Sequence, residues 1–163
     1  MKRFACAVAL VAAMAYGQSN AREAQVLKKI KEIYQELDAA LIKHDAEAAL
    51  KAYDRTAKVY PLKGKPLNIV DAVLLLTERY SNSKTFKFKT STKTITVNGN
   101  SARVRAVVTM EAQVPDRENP KKLHSLKLRS VTDDYWTYNK GWRITKVRSI
   151  EDRTWENGKE VYE

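Results

Sequence analysis

The feature that most constrains this chain is a change of period part-way along it. Before about residue 81, apolar side chains recur every three or four positions, the spacing of one helix face. From about residue 85 they alternate with polar ones, the spacing of a half-buried strand. The clearest alternation is "SARVRAVVTMEAQV", in which Ala102, Val104, Ala106, Val108, Met110, Ala112 and Val114 share one face. Helices followed by a run of hairpin-linked strands predict an α+β fold, with the helices packed on one face of a sheet.

Three helices are expected in the first half. One covers about 22–44, with Val26, Leu27, Ile30, Ile33, Tyr34, Leu37 and Leu41 on its inner face. Asp45 is placed to cap a second, "AEAALKAYDRTA", with Ala49, Leu50 and Tyr53 inside. Pro61, Gly64 and Pro66 interrupt the pattern. Asn68 then caps a third helix, where Val70, Val73, Leu74, Thr77 and Tyr80 form the expected buried stripe. Beyond it, "TFKFKTSTKTITV" changes parity between Phe88 and Ile95, which predicts a β-bulge. Asn98-Gly99 and "NKG" mark the hairpin turns.

The first 21 residues stand apart. Lys2 and Arg3 precede an apolar run from Phe4 to about Ala15, and small residues come next. This is the layout of a secretory leader, with cleavage expected before Gln18 or before Arg22. The run is too short for a membrane anchor. The expected organisation is therefore a signal peptide at 1–21 and a single domain at 22–163, periplasmic or secreted, with no stable membrane insertion. Cys6 is the only cysteine and lies in the leader, so the mature chain is expected to have no disulfide and no thiolate site. His44 and His124 lack the spacing of a metal site, so neither metal nor cofactor is expected.

The chain carries 30 Lys+Arg against 19 Asp+Glu, and 28 against 19 once the leader is removed. Such an excess favours anionic partners. Nucleic acid is not expected, because the basic residues are dispersed and the chain is expected to be exported.

The stretches "ALIKHDAEAALKAYDRTAKVY", "NIVDAVLLLTERY", "VNGNSARVRAVVTME" and "DDYWTYNKGWRITKVRS" together resemble the nuclear transport factor 2-like superfamily, in particular its secreted SnoaL-like and ketosteroid-isomerase-like members. The resemblance covers nearly the whole mature chain. It implies a cone: three N-terminal helices packed on a curved antiparallel sheet (cystatin-like), with an internal pocket and frequent dimerisation through the sheet. The superfamily hosts isomerases, dehydratases, hydrolases, transport factors and members without assigned chemistry. No catalytic signature of any enzyme branch is matched here, so no catalytic residue is carried over.

Strict alternation along the long strand points Leu126, Leu128, Ser130, Thr132, Asp134 and Trp136 inward. The Trp142 and Ile144 face of the last strand then continues to Lys146, Arg148 and Ile150. On that reading Asp134 and Arg148 meet inside the cone, and Tyr34, Tyr53, Tyr60 and Tyr80 offer hydroxyls. Tyr34, Tyr53, Tyr60, Tyr80, Asp134, Trp136 and Arg148 are therefore the expected lining of a site for a small apolar or amphipathic ligand. Three readings of function are open. The first is an exported binding protein without chemistry. The second is an isomerase-, dehydratase- or hydrolase-type enzyme using Asp134, its one catalytic candidate, with a tyrosine. The third is a non-catalytic module acting through its outer sheet face. That face projects Lys87, Lys89, Arg103, Arg105, Lys127, Arg129 and Arg143 around Val107, Val131, Thr145 and Val147, and a homodimer through it is the expected partner.

Overall fold

A computed structural model describes residues 4–116 and 119–161 of the protein, with side chains from Ala21 onward. The side chains of nearly all of the expected leader thus lie outside the described residues. Helix α1 spans Phe4–Ile42 and α3 spans Ile69–Tyr80, with a short α2 at Ala46–Leu50 between them. The strands are β1 Tyr53–Tyr60, β2 Leu67–Asn68, β3 Thr85–Asn98, β4 Ser101–Pro115, β5 Leu123–Tyr138, β6 Trp142–Glu156 and β7 Lys159–Val161. They form one curved sheet in the order β2-β1-β6-β5-β4-β3, with β7 on β6. Among the described residues no helix is long and apolar enough to cross a membrane.

The helix face read from the sequence is the buried one. Val26, Ile30, Ile33, Tyr34, Leu37 and Leu41 are all buried, and they join Val104, Trp136 and Ile144 in the main core. A smaller core gathers Tyr80, Met110 and Ala112 with Phe86, Phe88 and Leu126. The first hairpin turns at Gly99–Asn100, where Gly99 has φ +55°, a left-handed conformation that glycine adopts without strain.

Four expectations are corrected. The second helix stops at Leu50, and residues 53–60 are a strand. Alanine-rich local propensity loses there to the edge of β6, along which Tyr53 pairs with Ile144 and Lys58–Tyr60 with Lys146–Arg148. That pairing is parallel, so the sheet is not wholly antiparallel. On α3, Ile69, Val73, Thr77 and Tyr80 are buried, whereas Val70 and Leu74 are 37% and 41% exposed. Lastly, the strands do not alternate strictly from end to end.

Three bulges carry that last point. In β3 the register shifts between Thr92 and Thr94, where the sequence predicts it. On β6, Trp136 pairs with Ile144 but Tyr135 with Lys146, leaving Thr145 as an extra residue. Ile150 is extra in the same way, since Thr132 pairs with Ser149 and Val131 with Glu151. Each bulge inverts the facing of the residues beyond it. Val147 consequently packs on the core, and Lys146 and Arg148 stand on the outer face.

Candidate functional site

The middle of the core is polar. Asp134 sits near the C-terminal end of β5, between Val104 of β4 and Val147 of β6, on the face that α1 covers. It is 4% exposed. Tyr34, about two turns before the C-terminal end of α1 on its buried stripe, donates its hydroxyl to Asp134 Oδ2 at 2.6 Å. Trp136, two residues along the same face of β5, meets the Tyr34 ring edge-on with centroids 5.2 Å apart. Tyr53, at the start of β1, packs against the same core.

Burial sets the electrostatics. It pushes the Asp134 carboxyl up to about 6, against the opposing pull of the Tyr34 hydrogen bond and of the nearby Thr132 hydroxyl. The Tyr34 hydroxyl is raised well above its ordinary value, first by burial and then by the Asp134 charge. The Tyr53 hydroxyl is raised for the same reasons, with Asp38 adding to the effect of Asp134. Asp38, one helical turn after Tyr34, accepts from the Thr90 N–H at 2.8 Å and from the Thr90 hydroxyl at 2.7 Å. Burial raises its carboxyl too.

Hydrogen-bonding capacity is left over around this carboxyl. Asp134 Oδ1, the Thr132 hydroxyl and the Trp136 Nε1–H are buried and make no well-formed hydrogen bond among the described residues, although the Thr132 hydroxyl lies close enough to Asp134, and the Trp136 N–H close enough to the Tyr34 hydroxyl, to oppose the effect of burial on each. A buried acceptor and a buried donor left unsatisfied on one wall are costly in a core and useful in a site. A cleft of about 630 Å³ is lined by Leu50, Tyr53, Ile69 and Val70 together with Glu47, Lys51, Asp54, Arg55 and Arg143. Tyr53 belongs to both places: it lines the cleft and lies within the electrostatic reach of Asp134.

Of the residues expected to line the site, the structure brings together Tyr34, Tyr53, Asp134 and Trp136. The other three stand elsewhere. Arg148 is exposed on the outer face, because the Thr145 bulge turns it away from Asp134. Tyr60 lies under the Lys146 ammonium, 5.0 Å from its ring centroid. Tyr80 stacks on Phe86 in the smaller core. Asp38 is a site residue that sequence reasoning misses, although its spacing of four from Tyr34 on a helix is the signal that places it on the same side. Among the described residues no three His, Cys, Asp or Glu side chains gather to hold a metal ion.

Solved structures share this architecture. A putative scytalone dehydratase from Novosphingobium aromaticivorans superposes with a TM-score of 0.65 at 15% identity, covering 83% of this chain and 89% of that one. The chain has the nuclear transport factor 2-like fold. A nuclear transport factor 2-like superfamily protein from Salmonella enterica serovar Typhimurium matches with a TM-score of 0.60 at 16% identity, over 77% of this chain and 90% of its own. A putative dehydratase of the same fold from Streptomyces avermitilis gives 0.60 at 11% identity, over 76% and 94%. No known family profile matches the sequence, and no curated protein does. The nuclear transport factor 2-like fold places a helix over a curved sheet, and here that arrangement sets Tyr34 against Asp134.

Proposed function

We propose that this chain binds a small, largely apolar molecule bearing one hydroxyl or carbonyl, and that Asp134 and Tyr34 receive the polar group. The observation that carries the reading is the Asp134–Tyr34 hydrogen bond, with its leftover acceptor Oδ1 and the leftover Trp136 N–H beside it. A ligand hydroxyl would donate to the leftover Oδ1, with Ile30, Val104 and Ile144 as its apolar neighbours. Access is through the cleft beside Tyr53. Titrating the protein with 1-naphthol, an apolar ring with one hydroxyl, tests this through tryptophan fluorescence. Binding that is saturable, and at least about tenfold weaker in Asp134→Asn and Tyr34→Phe, supports the reading. Unsaturable quenching that is equal in parent and variants counts against it.

A second reading, acid–base catalysis, is favoured by one further observation. A carboxyl pushed up to about 6 takes and returns a proton near neutral pH, as a general base must. Ketosteroid isomerase enolises a carbonyl with an aspartate base and a separate tyrosine that donates to the carbonyl oxygen, a part Tyr34 can take here only by turning its hydroxyl from Asp134 to the substrate. The neighbours of this fold include two named as putative dehydratases. Native mass spectrometry of the protein from its own source identifies the retained molecule. Asp134→Asn then separates the two readings: it removes turnover of that molecule if Asp134 is a base, and leaves the molecule unchanged in both proteins if the site only binds. We infer, further, that the chain is exported and loses its leader before Gln18 or Arg22, which N-terminal sequencing of the same sample checks.

A further inference from the structure

The outer face of the sheet carries a second constellation, independent of the interior site. Asp133 points away from the helices, yet its side chain is 3% exposed, because two guanidiniums cover it. Arg105 donates from Nε to Oδ1 and from Nη2 to Oδ2, both at 3.0 Å. Arg103 donates from Nη2 to the same Oδ2. The arginine side chains themselves are 53% exposed at Arg103 and 43% at Arg105. The carboxylate therefore forms a floor that holds two guanidiniums at the surface. Arg105's hydrogen bond is the chief cause holding the Asp133 carboxyl below its ordinary value, so it stays charged near neutrality.

One carboxylate cannot neutralise two arginines, and the surroundings add positive charge. Arg148 is paired beside Asp133 on β6. Lys146 lies 4.8 Å from the Tyr135 ring centroid, and the Arg103 guanidinium 5.7 Å from the same ring. On the other side, the β3 bulge turns Thr94 and Thr96 to this face, opposite Arg105 and Arg103. Thr94, Thr96, Arg103, Arg105 and Asp133 line a cleft of about 240 Å³. The acids that would answer a second copy's arginines are engaged within the chain: Glu111 with Lys87 and Lys127, and Glu151 with Arg129.

We propose that this cleft is a binding site for a phosphoryl group. A planar carboxylate is satisfied by a single guanidinium fork, and Asp133 takes that of Arg105; the N–H groups that Arg103 and Arg105 keep beyond Asp133, together with the Thr94 and Thr96 hydroxyls, suit an anion with three or more acceptor oxygens. Asp133 orders both arginines before any ligand arrives, so little side-chain freedom is lost on binding.

The test is NMR of the side-chain Nε–H groups of Arg103 and Arg105 in the full chain. Inorganic phosphate, pyrophosphate, linear polyphosphate and phosphatidylglycerol vesicles are titrated in turn, with acetate as the control. Both arginine signals are expected to shift saturably with phosphate and pyrophosphate and not with acetate. The Thr94→Val/Thr96→Val double variant, which keeps strand-forming residues, weakens that binding at least about fivefold. Arg105→Lys, which keeps the charge and removes the fork, weakens it as well. Tighter binding of polyphosphate locates the group on a polymer, and vesicle binding displaced by phosphate locates it on a lipid; both support the site. Equal shifts with acetate, variants that bind as the parent does, or vesicle binding that phosphate does not displace each overturn it. So does a dimer joined through this face whose arginine signals do not respond.

Discussion

Asp134 is the residue on which the proposed binding rests, and its burial has a measurable consequence. Its folded-state pKa of about 6 lies above the ordinary 3.8, so the fold favours the protonated acid. The stability this contributes is complete below the ordinary value and is lost as pH rises through about 6. The loss is on the order of 3 kcal/mol. Asp134→Asn keeps an oxygen for the Tyr34 hydroxyl and cannot ionise. The difference in unfolding free energy between parent and variant should therefore shift towards the variant by that amount between about pH 4 and pH 7, as read by urea denaturation. A difference that does not change with pH would mean that Asp134 is solvated in the folded protein. Asp133, the next residue along, behaves in the opposite way, because paired arginines rather than apolar walls surround it. Adjacent aspartates on opposite faces of one strand thus have opposite electrostatics.

Among the elements, α3 is the one whose buried face differs most from expectation. A helical wheel permits Val73 with either Val70 and Leu74 or Ile69 and Thr77, and only the position of β1 and the sheet selects the second. Val73 is 5% exposed and Leu74 is 41% exposed. Val73→Glu should cost more than about 3 kcal/mol, because it buries an unpaired charge. Leu74→Glu should stay within about 0.5 kcal/mol of the parent, and thermal unfolding separates the two. Equal losses would contradict this orientation of the helix. The strand bulges have effects of the same scale. The sequence shows one of them, in β3, because parity visibly fails between Phe88 and Ile95. Those of β6 leave no such mark, since Thr145 and Ile150 suit a regular strand as well as a bulge.

At the scale of the whole molecule, Tyr53, a residue of the strand that local propensity assigns to a helix, both lines the cleft and feels the Asp134 charge. If Tyr53 closes the way to Asp134, then Tyr53→Ala admits water to the carboxyl. The Asp134 pKa should then fall from about 6 towards its ordinary value, as carboxyl-carbon NMR would record. An unchanged value would show that the two compartments are separate. One sheet thus carries an apolar-walled carboxyl under the helices and a carboxylate-held arginine pair outside.

By itself the sequence determined the helix-then-strand order, the inner stripes of α1 and β4, the inward facing of Asp134 and Trp136, and the basic outer face. Those come from local periodicity, which repeats within a few residues and needs no partner to be read. The strand at 53–60, the exposed face of α3, and the separation of Arg148 from Asp134 were decided only by tertiary structure. Each depends on which backbone edge lies alongside or where one extra residue is absorbed, and pairing across the sheet settles those choices rather than the order of side chains along the chain.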